Sequence, residues 1–367
     1  MHLDREQELS LAGERGPAAE WAMGVLVKLG DRAGSSRMVP VSSVHVPGWC
    51  EAGPSDACRW LTSSAGQGTV PLTANPGGPD DDGTRERKQA LENWRSRPCY
   101  SFTCAPYLSG NRPSRGQVIA WGGRAASAFA NSIIGARTEV ESFETALASA
   151  ITGLTPERGL HLEERRRMSV AVTVKKDHGG KIDHPLLGWR ISRELDGRTP
   201  LLCGISPTFD EAKRLAFAIN SRAGIPLFGI RREAAPPAGT EAVEVSLDDE
   251  ILDRPERPDL VILGCPHLSE QDINRWSKRL ADRVPGRAEV WFFTSRLCMD
   301  KCPTFGAVLR KRGRVLADQC PLGLIRELAG RVVACDSPSL VECLRRKGVS
   351  ASYLAEDELV ALLVRRD

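Results

Sequence analysis

The chain has 367 residues, 41% of them apolar and 26% charged, ordinary proportions for a globular protein large enough for two or three cored domains. Fifty basic residues against 47 acidic ones leave a formal charge of +3, which makes no electrostatic case for nucleic acid or an anionic membrane. No window approaches the run of about eighteen apolar residues that a membrane span needs, and the charged N-terminus MHLDREQELSLAGERG reads as the start of a helix, not as a signal peptide. A cytoplasmic location is therefore expected.

Residues 5–30 carry apolar positions at helical spacing and predict one or two helices. MVPVSSVHV (38–46) alternates and is β-branched, which predicts a strand ending at Pro47-Gly48, and GTVPLTA (68–74) a second one running into the loop NPGGPDDDGT. RERKQALENWRSR (85–97) predicts a helix. QVIAWGGRAASAFANSIIGART (117–138) begins as a strand and continues in small residues, the mark of tight backbone packing or of a helix near a ligand. SFETALASAITGL then predicts an amphipathic helix and RRRMSVAVTV a strand. PLLCGI, the capped helix SPTFDEAKRLAFAINSRAG and IPLFGI follow, and then EAAPPAGTEA (233–242) as a linker or long loop. Beyond it the chain alternates DLVILGC, SEQDINRWSKRLADRV, AEVWFF, a helix near 301–312, RVLAD, a helix at 322–329 and RVVAC. Alternation of this kind implies parallel sheet covered by helices. Ligands of such sheets bind at the carboxyl ends of strands, which puts GCPH (264–267), TSR (294–296), DQC (318–320) and CDS (335–337) on a functional rim.

Eleven cysteines without an export signal point to a reducing compartment. No CxxC occurs; the single CxxxC, Cys298–Cys302, reads as two ordinary thiols near a helix start, and a zinc ribbon lacks its second pair. Four cysteines lie at strand ends or in loops with small or polar neighbours: Cys104, Cys265, Cys320 and Cys335. Any one alone is by default a buried thiol. Together, in separate loops, they suit a cluster ligated by dispersed thiolates. His267 in GCPHLS reads as a ligand, an acid–base group or a neighbour of a helix cap. WGGRAAS does not match GxGxxG, and no Walker A, GxSxG or HExxH sequence occurs.

Several of these stretches together resemble the large subunit of the aconitase X family: TCAPYLSGNRPSRGQVIAW (103–121), ANSIIGART (130–138), ALASAITGLTPERGLH (146–161), GISPTFDEAKRLAF (204–217), GCPHLS (264–269), TSR (294–296) and DQC (318–320), in the family's order and spacing. The resemblance implies an aconitase-like α/β fold: an N-terminal α/β domain over 1–190 with the substrate loops and the first cluster cysteine, a Rossmann-like region over 191–330 with the others, and a C-terminal segment at 331–367. It implies a hydro-lyase with an iron–sulfur cluster, expected as [4Fe-4S], held by Cys104, Cys265 and Cys320, one iron being open to substrate. It also implies substrate contacts from Gly48, Trp49, Cys50, Asn75, Pro76 and Arg296; Arg124 and Ser337 complete the expected set, and Arg137 is a weaker one against a structural ion pair.

The chain departs from the family's usual pattern in places. Ala105 stands where a hydroxyl residue is usual, Gly48-Trp49-Cys50 where Gly-Val-Ser is, Gly123 where a carboxylate is, and Ser339 where a lysine is common. The swivelling β-rich domain that carries the family's catalytic base is expected on a separate small subunit. Two-subunit members include archaeal forms that dehydrate (R)-5-phosphomevalonate to trans-anhydromevalonate 5-phosphate in isoprenoid precursor biosynthesis, the reaction expected here. The alternatives are dehydration of cis-3-hydroxy-L-proline, associated with fused forms, and a diverged non-catalytic cluster-binding paralogue.

Overall fold

The computed structural model describes residues 1–47, 68–77, 102–175, 182–222, 224–247 and 257–365. The chain divides into two compact units, Met1–Arg167 and Met168–Asp367. The divide falls at 167, where the sequence suggests 190, and residues 331–367 belong to the second unit. The helix expected at 85–97 lies outside the described residues.

In the first unit α1 (Arg5–Leu11) starts at a capping box in which Asp4 Oδ1 accepts the Gln7 N–H at 2.9 Å. α2 (Pro17–Ala33) has proline at its first turn and ends on left-handed Gly34. The stretch expected as one strand over 38–46 forms two, β1 (Met38–Pro40) and β2 (Val44–Val46). β3 (Leu72–Ala74) and β4 (Ala120–Trp121) flank β2 on either side, both parallel to it. The small-residue run after β4 is α3 (Arg124–Phe129), prolonged by a wider π turn at Ala130–Ile134. α4 (Phe143–Thr152) follows, capped by Ser142. β5 (Leu154–Pro156) pairs antiparallel with β1. Met23 and Leu26 of α2, Leu147 and Ala150 of α4, and Val44, Val46 and Leu72 form one buried core, each larger apolar side chain contributing about 1.5–3 kcal/mol.

The second unit holds two all-parallel sheets. The first comprises β6 (Val170–Val174), β7 (Pro200–Cys203), β8 (Gly229–Arg231) and β9 (Ala242–Val245) in the order 8-7-6-9. Between its strands run α5 (His184–Glu194) and α6 (Phe209–Ala218), the latter capped by Thr208 with Glu211 answering it. The second comprises β10 (Leu260–Leu268), β11 (Glu289–Thr294), β12 (Arg314–Ala317), β13 (Val332–Cys335) and β14 (Ser350–Tyr353) in the order 12-11-10-13-14. The helices α7 (Glu270–Leu280), α8 (Arg296–Lys301), α9 (Pro303–Arg312), α10 (Pro338–Arg346) and α11 (Glu356–Leu363) connect and cover these strands. The helix expected at 322–329 is instead a 3-10 turn at Pro321–Leu324 followed by further turns, Gly323 lying inside it. Among the described residues no helix is long and apolar enough to cross a membrane.

Candidate functional site: two carboxyl edges

Apart from Arg137, which bridges Val118 ahead of β4, the described candidates of the first unit lie at the carboxyl edge of its parallel sheet or just beyond it. β2 leads to Pro47, β3 to Asn75 and Pro76, and β4 to Gly122, Gly123 and Arg124. A parallel bridge from Ala74 to Phe102, with the Thr103 N–H on Ala74 O at 2.8 Å, brings Cys104 to the same edge. Gly122 is required there, because a Cβ at that position would come within 2.2 Å of the Pro47 ring and 2.7 Å of Glu141 O. Gly48, Trp49 and Cys50 lie outside the described residues.

Cys104 is held from both sides. Thr103, fully buried, accepts the Ala105 N–H on its own hydroxyl at 3.1 Å, which fixes the backbone around the cysteine. Ala105 is itself fully buried, so its methyl packs where the family usually has a hydroxyl. The 3-10 turn Pro106–Leu108 follows, and its Tyr107 ring stacks on Phe129 of α3 with centroids 3.8 Å apart, a contact worth about 0.5–1.5 kcal/mol beyond the area it buries. The Cys104 side chain is half-buried.

Asn75 is oriented by a chain of buried polar groups. Asn111 Nδ2 donates to Thr73 Oγ1 at 2.8 Å, which frees the threonine proton for His45 Nδ1 at 2.9 Å. His45 Nε2–H then donates to Asn75 Oδ1 at 2.9 Å. The Asn75 amide lies beside Gly123, where a Cβ would stand 3.4 Å from Nδ2 and 3.5 Å from Oδ1. Burial lowers the His45 pKa to about 4, the Asn75 bond only partly opposing it, so the ring is neutral at pH 7 and this tautomer is the one that satisfies both of its partners.

Arg124 is exposed and forms no ion pair among the described residues. Arg137 reads as structural, its guanidinium bonded to His161 O at 2.9 Å and paired with Glu163.

In the second unit, the loops expected on the rim sit at the carboxyl ends of β10, β11, β12 and β13. Gly264 has φ 103°, and a Cβ there would meet Phe293 O at 2.1 Å; the close approach shifts the β10–β11 register between Leu263 and Leu268. Cys265 lies in this irregular stretch, followed by a cis bond to Pro266 and by His267, which is 1% exposed. His267 Nε2–H donates to Gln319 O at 2.8 Å, tying this loop to the one that carries Cys320. Burial holds the His267 ring near pKa 4, hence neutral. Asp318 adopts φ 61°; its Oδ1 accepts the Arg296 N–H at 2.8 Å and its Oδ2 lies 3.4 Å from Arg296 Nη2. The Arg296 side chain is otherwise 67% exposed at the start of α8. The Ser337 hydroxyl caps α10, accepting the Leu340 N–H at 3.3 Å, and is buried, so the role visible for it is that of a helix cap.

The cysteines sort by environment. Cys104, Cys265 and Cys320 are half-buried thiols on loops or an irregular strand end. Cys203, Cys298, Cys302 and Cys335 are buried, and burial raises the pKa of each, most for Cys335, whose Sγ also bonds Ser337 O at 3.4 Å. This separates Cys335 from Cys104, Cys265 and Cys320. Cys343 is half-buried too, but it sits within α10 and burial likewise raises its pKa. Among the described residues no group of three or more His, Cys, Asp or Glu converges on a single metal ion. An iron–sulfur cluster makes a different demand, because its thiolates bind separate irons.

Sequence reading did not single out Thr73, Asn111 or Lys213, and it passed over His45. The one available signal was a polar residue at the centre of each apolar triplet, VHV and LTA, which the sheet pairs as His45 with Thr73.

A family model described as "Aconitase X first domain" matches residues 1–164. A "Phosphomevalonate dehydratase large subunit" from Thermococcus kodakarensis is 32% identical over 346 residues, covering 87% of this chain and 89% of that one. A crystal structure of Thermococcus kodakaraensis aconitase X in its holo-form superposes with a TM-score of 0.86 at 30% identity, covering 98% of this chain and 99% of the other. A "Cis-3-hydroxy-L-proline dehydratase" from Hypocrea jecorina is 28% identical over 326 residues, which are 79% of this chain but 54% of that protein. These matches place the fold among the aconitase-like α/β proteins. Within that class, the chain belongs to the aconitase X family.

Proposed function

We propose that this chain is the large, catalytic subunit of an iron–sulfur hydro-lyase that dehydrates (R)-5-phosphomevalonate to trans-anhydromevalonate 5-phosphate, working with a small swivelling-domain subunit in the cytoplasm. The observation that carries this reading is reciprocal coverage: this chain and the large-subunit relative span nearly all of each other. The hydroxyproline dehydratase is matched over only about half its own length, which disfavours the second substrate.

Cys104, Cys265 and Cys320 are the three thiolates we assign to the cluster. Their partial burial on structured loops fits that role, whereas the fully buried thiols hold their protons. A [4Fe-4S] cluster held by three protein ligands supplies a Lewis-acidic iron that makes a substrate hydroxyl a feasible leaving group. The rest of the chain positions and binds. The Asn75 amide, fixed by His45, donates to a substrate oxyanion. Arg124 and Arg296 offer guanidinium groups suited to phosphate or carboxylate, and Gly48, Trp49, Cys50 and Pro76 complete the expected substrate loops. The base that removes the proton next to the carboxylate belongs to the small subunit.

The test is product analysis. The co-expressed pair, prepared without oxygen, is incubated with (R)-5-phosphomevalonate and separately with cis-3-hydroxy-L-proline, followed by phosphorus and proton NMR. Conversion of the first alone supports the proposal. Conversion of the second instead replaces it, and conversion of neither by a cluster-loaded pair points to a non-catalytic protein.

A further inference from the structure

Lys213 is a buried ammonium in the middle of α6, only 1% exposed. Its Nζ donates to the backbone carbonyl of His267 at 3.0 Å and pairs with Asp272 Oδ2 at 2.5 Å and Asp210 Oδ1 at 3.4 Å. Buried Asp272 and Asp210 balance its charge, but its bond to a backbone carbonyl is a separate contact. Asp272 Oδ1 is already bonded by Arg214 at 2.8 Å and Arg275 at 2.6 Å, and the Ser269 N–H donates to Asp272 Oδ2 at 3.1 Å. What the arginines do not supply is the bond to His267 O. That carbonyl lies two residues from Cys265, and the ring of the same histidine donates to Gln319 O, next to Cys320.

We infer that Lys213 and His267 are positioning residues that lock the Cys265 and Cys320 loops into one fixed arrangement. The lysine anchors the backbone of the first loop to α6, and the imidazole carries that anchor across to the second. The inference rests on the assignment of both cysteines as cluster ligands. Neighbours that orient ligands of a metal centre typically change its retention by about 10- to 100-fold when removed.

The test compares the full chain with His267→Leu, His267→Gln and Lys213→Met, using two readouts. In the metal-free chain, iodoacetamide labelling of each cysteine is followed by mass spectrometry. Cys265 and Cys320 should label about tenfold faster in His267→Leu and Lys213→Met, with Cys104 within about twofold of wild type. Gln places an amide N–H near the position of Nε2, so His267→Gln should restore both rates. In anaerobically reconstituted protein, iron loss to a chelator should accelerate by about tenfold or more in His267→Leu and recover in His267→Gln. If His267→Leu does not accumulate as folded protein, His267→Asn, whose amide falls short of Gln319, takes its place in the same contrast. Unchanged labelling of Cys265 and Cys320, or equal acceleration at Cys104, overturns the inference, the latter because it reports general loosening. Wild-type protein that takes up no iron defeats the cluster assignment and the positioning role with it. Normal iron uptake with no variant effect defeats the positioning role alone.

Discussion

His45 Nε2 stands 2.9 Å from Asn75 Oδ1, and the imidazole takes its own orientation from Thr73 and, through it, Asn111. All three supporting side chains are at most 2% exposed, so the chain is insulated from water and ends at the Asn75 amide on the sheet edge. In His45→Leu the Asn75 amide loses the partner that fixes which end faces the substrate. The expected result is a rise in KM of about tenfold with a smaller change in kcat, one hydrogen bond to a charged group being worth about 1.5–3 kcal/mol. Steady-state kinetics of His45→Leu, Asn75→Ala and the double variant check this. The two changes should be far from additive, because they remove the same interaction. Additive effects would show that the two residues act separately.

The same histidine makes stability depend on pH. Burial holds His45 and His161 near pKa 4, against an ordinary value of 6.5. Below pH 6.5 the unfolded chain takes up protons that the folded chain refuses. Stability therefore falls as pH drops, by about 1.4 kcal/mol per pH unit for each ring, until it levels off near pH 4. Urea unfolding at pH 7, 6 and 5 measures the slope. Between pH 6 and 5 the His45→Leu variant should lose about 1.4 kcal/mol less than wild type, and parallel slopes would contradict the assignment.

Arg124 gives a cleaner test of the substrate side. It is exposed and has no ion pair among the described residues, so Arg124→Gln should leave unfolding stability within about 0.5 kcal/mol. If it meets the substrate phosphate, KM for (R)-5-phosphomevalonate should rise about tenfold or more and lose part of its salt dependence. A variant with wild-type kinetics would return Arg124 to the solvated surface.

Much of this organisation was legible in the residues, and the failures have physical causes. β10 reads LVILGCPHL, the near-continuous apolar run of a strand buried on both faces, and its alternation with helices gave the parallel sheet and its functional edge. Residues 38–46 were expected as one strand because alternation is local. They split because β1 pairs with β5, far along the chain, while β2 enters a different sheet. Likewise the helical reading of 301–312 gave no hint that the helix starts only at Pro303, after a separate short helix, Arg296–Lys301. Residues 331–367, expected as a separate C-terminal segment, supply β13 and β14 to the five-stranded sheet, since strand pairing needs backbone and apolar side chains more than particular residues. The sequence placed the cysteines at strand ends and in loops, but not their degree of burial. Cys335 and Cys320 both sit at strand ends in sequence, where only the resemblance sets them apart; in the structure burial does.

That distinction predicts how iron content responds to mutation. Cys104→Ser, Cys265→Ser and Cys320→Ser should each lose most of the iron and the visible absorbance of anaerobically reconstituted protein. Cys343→Ser, on a half-buried helical position outside the proposed set, should retain both. Iron analysis with absorption spectra checks this, and full retention in any of the first three would remove that cysteine from the set.

The most direct measurement is turnover of (R)-5-phosphomevalonate by the anaerobic pair of this chain and its small subunit, beside this chain alone and the pair carrying Cys265→Ser. The account predicts formation of trans-anhydromevalonate 5-phosphate by the intact pair only. Equal turnover by the chain alone, or by the Cys265→Ser pair, would contradict it.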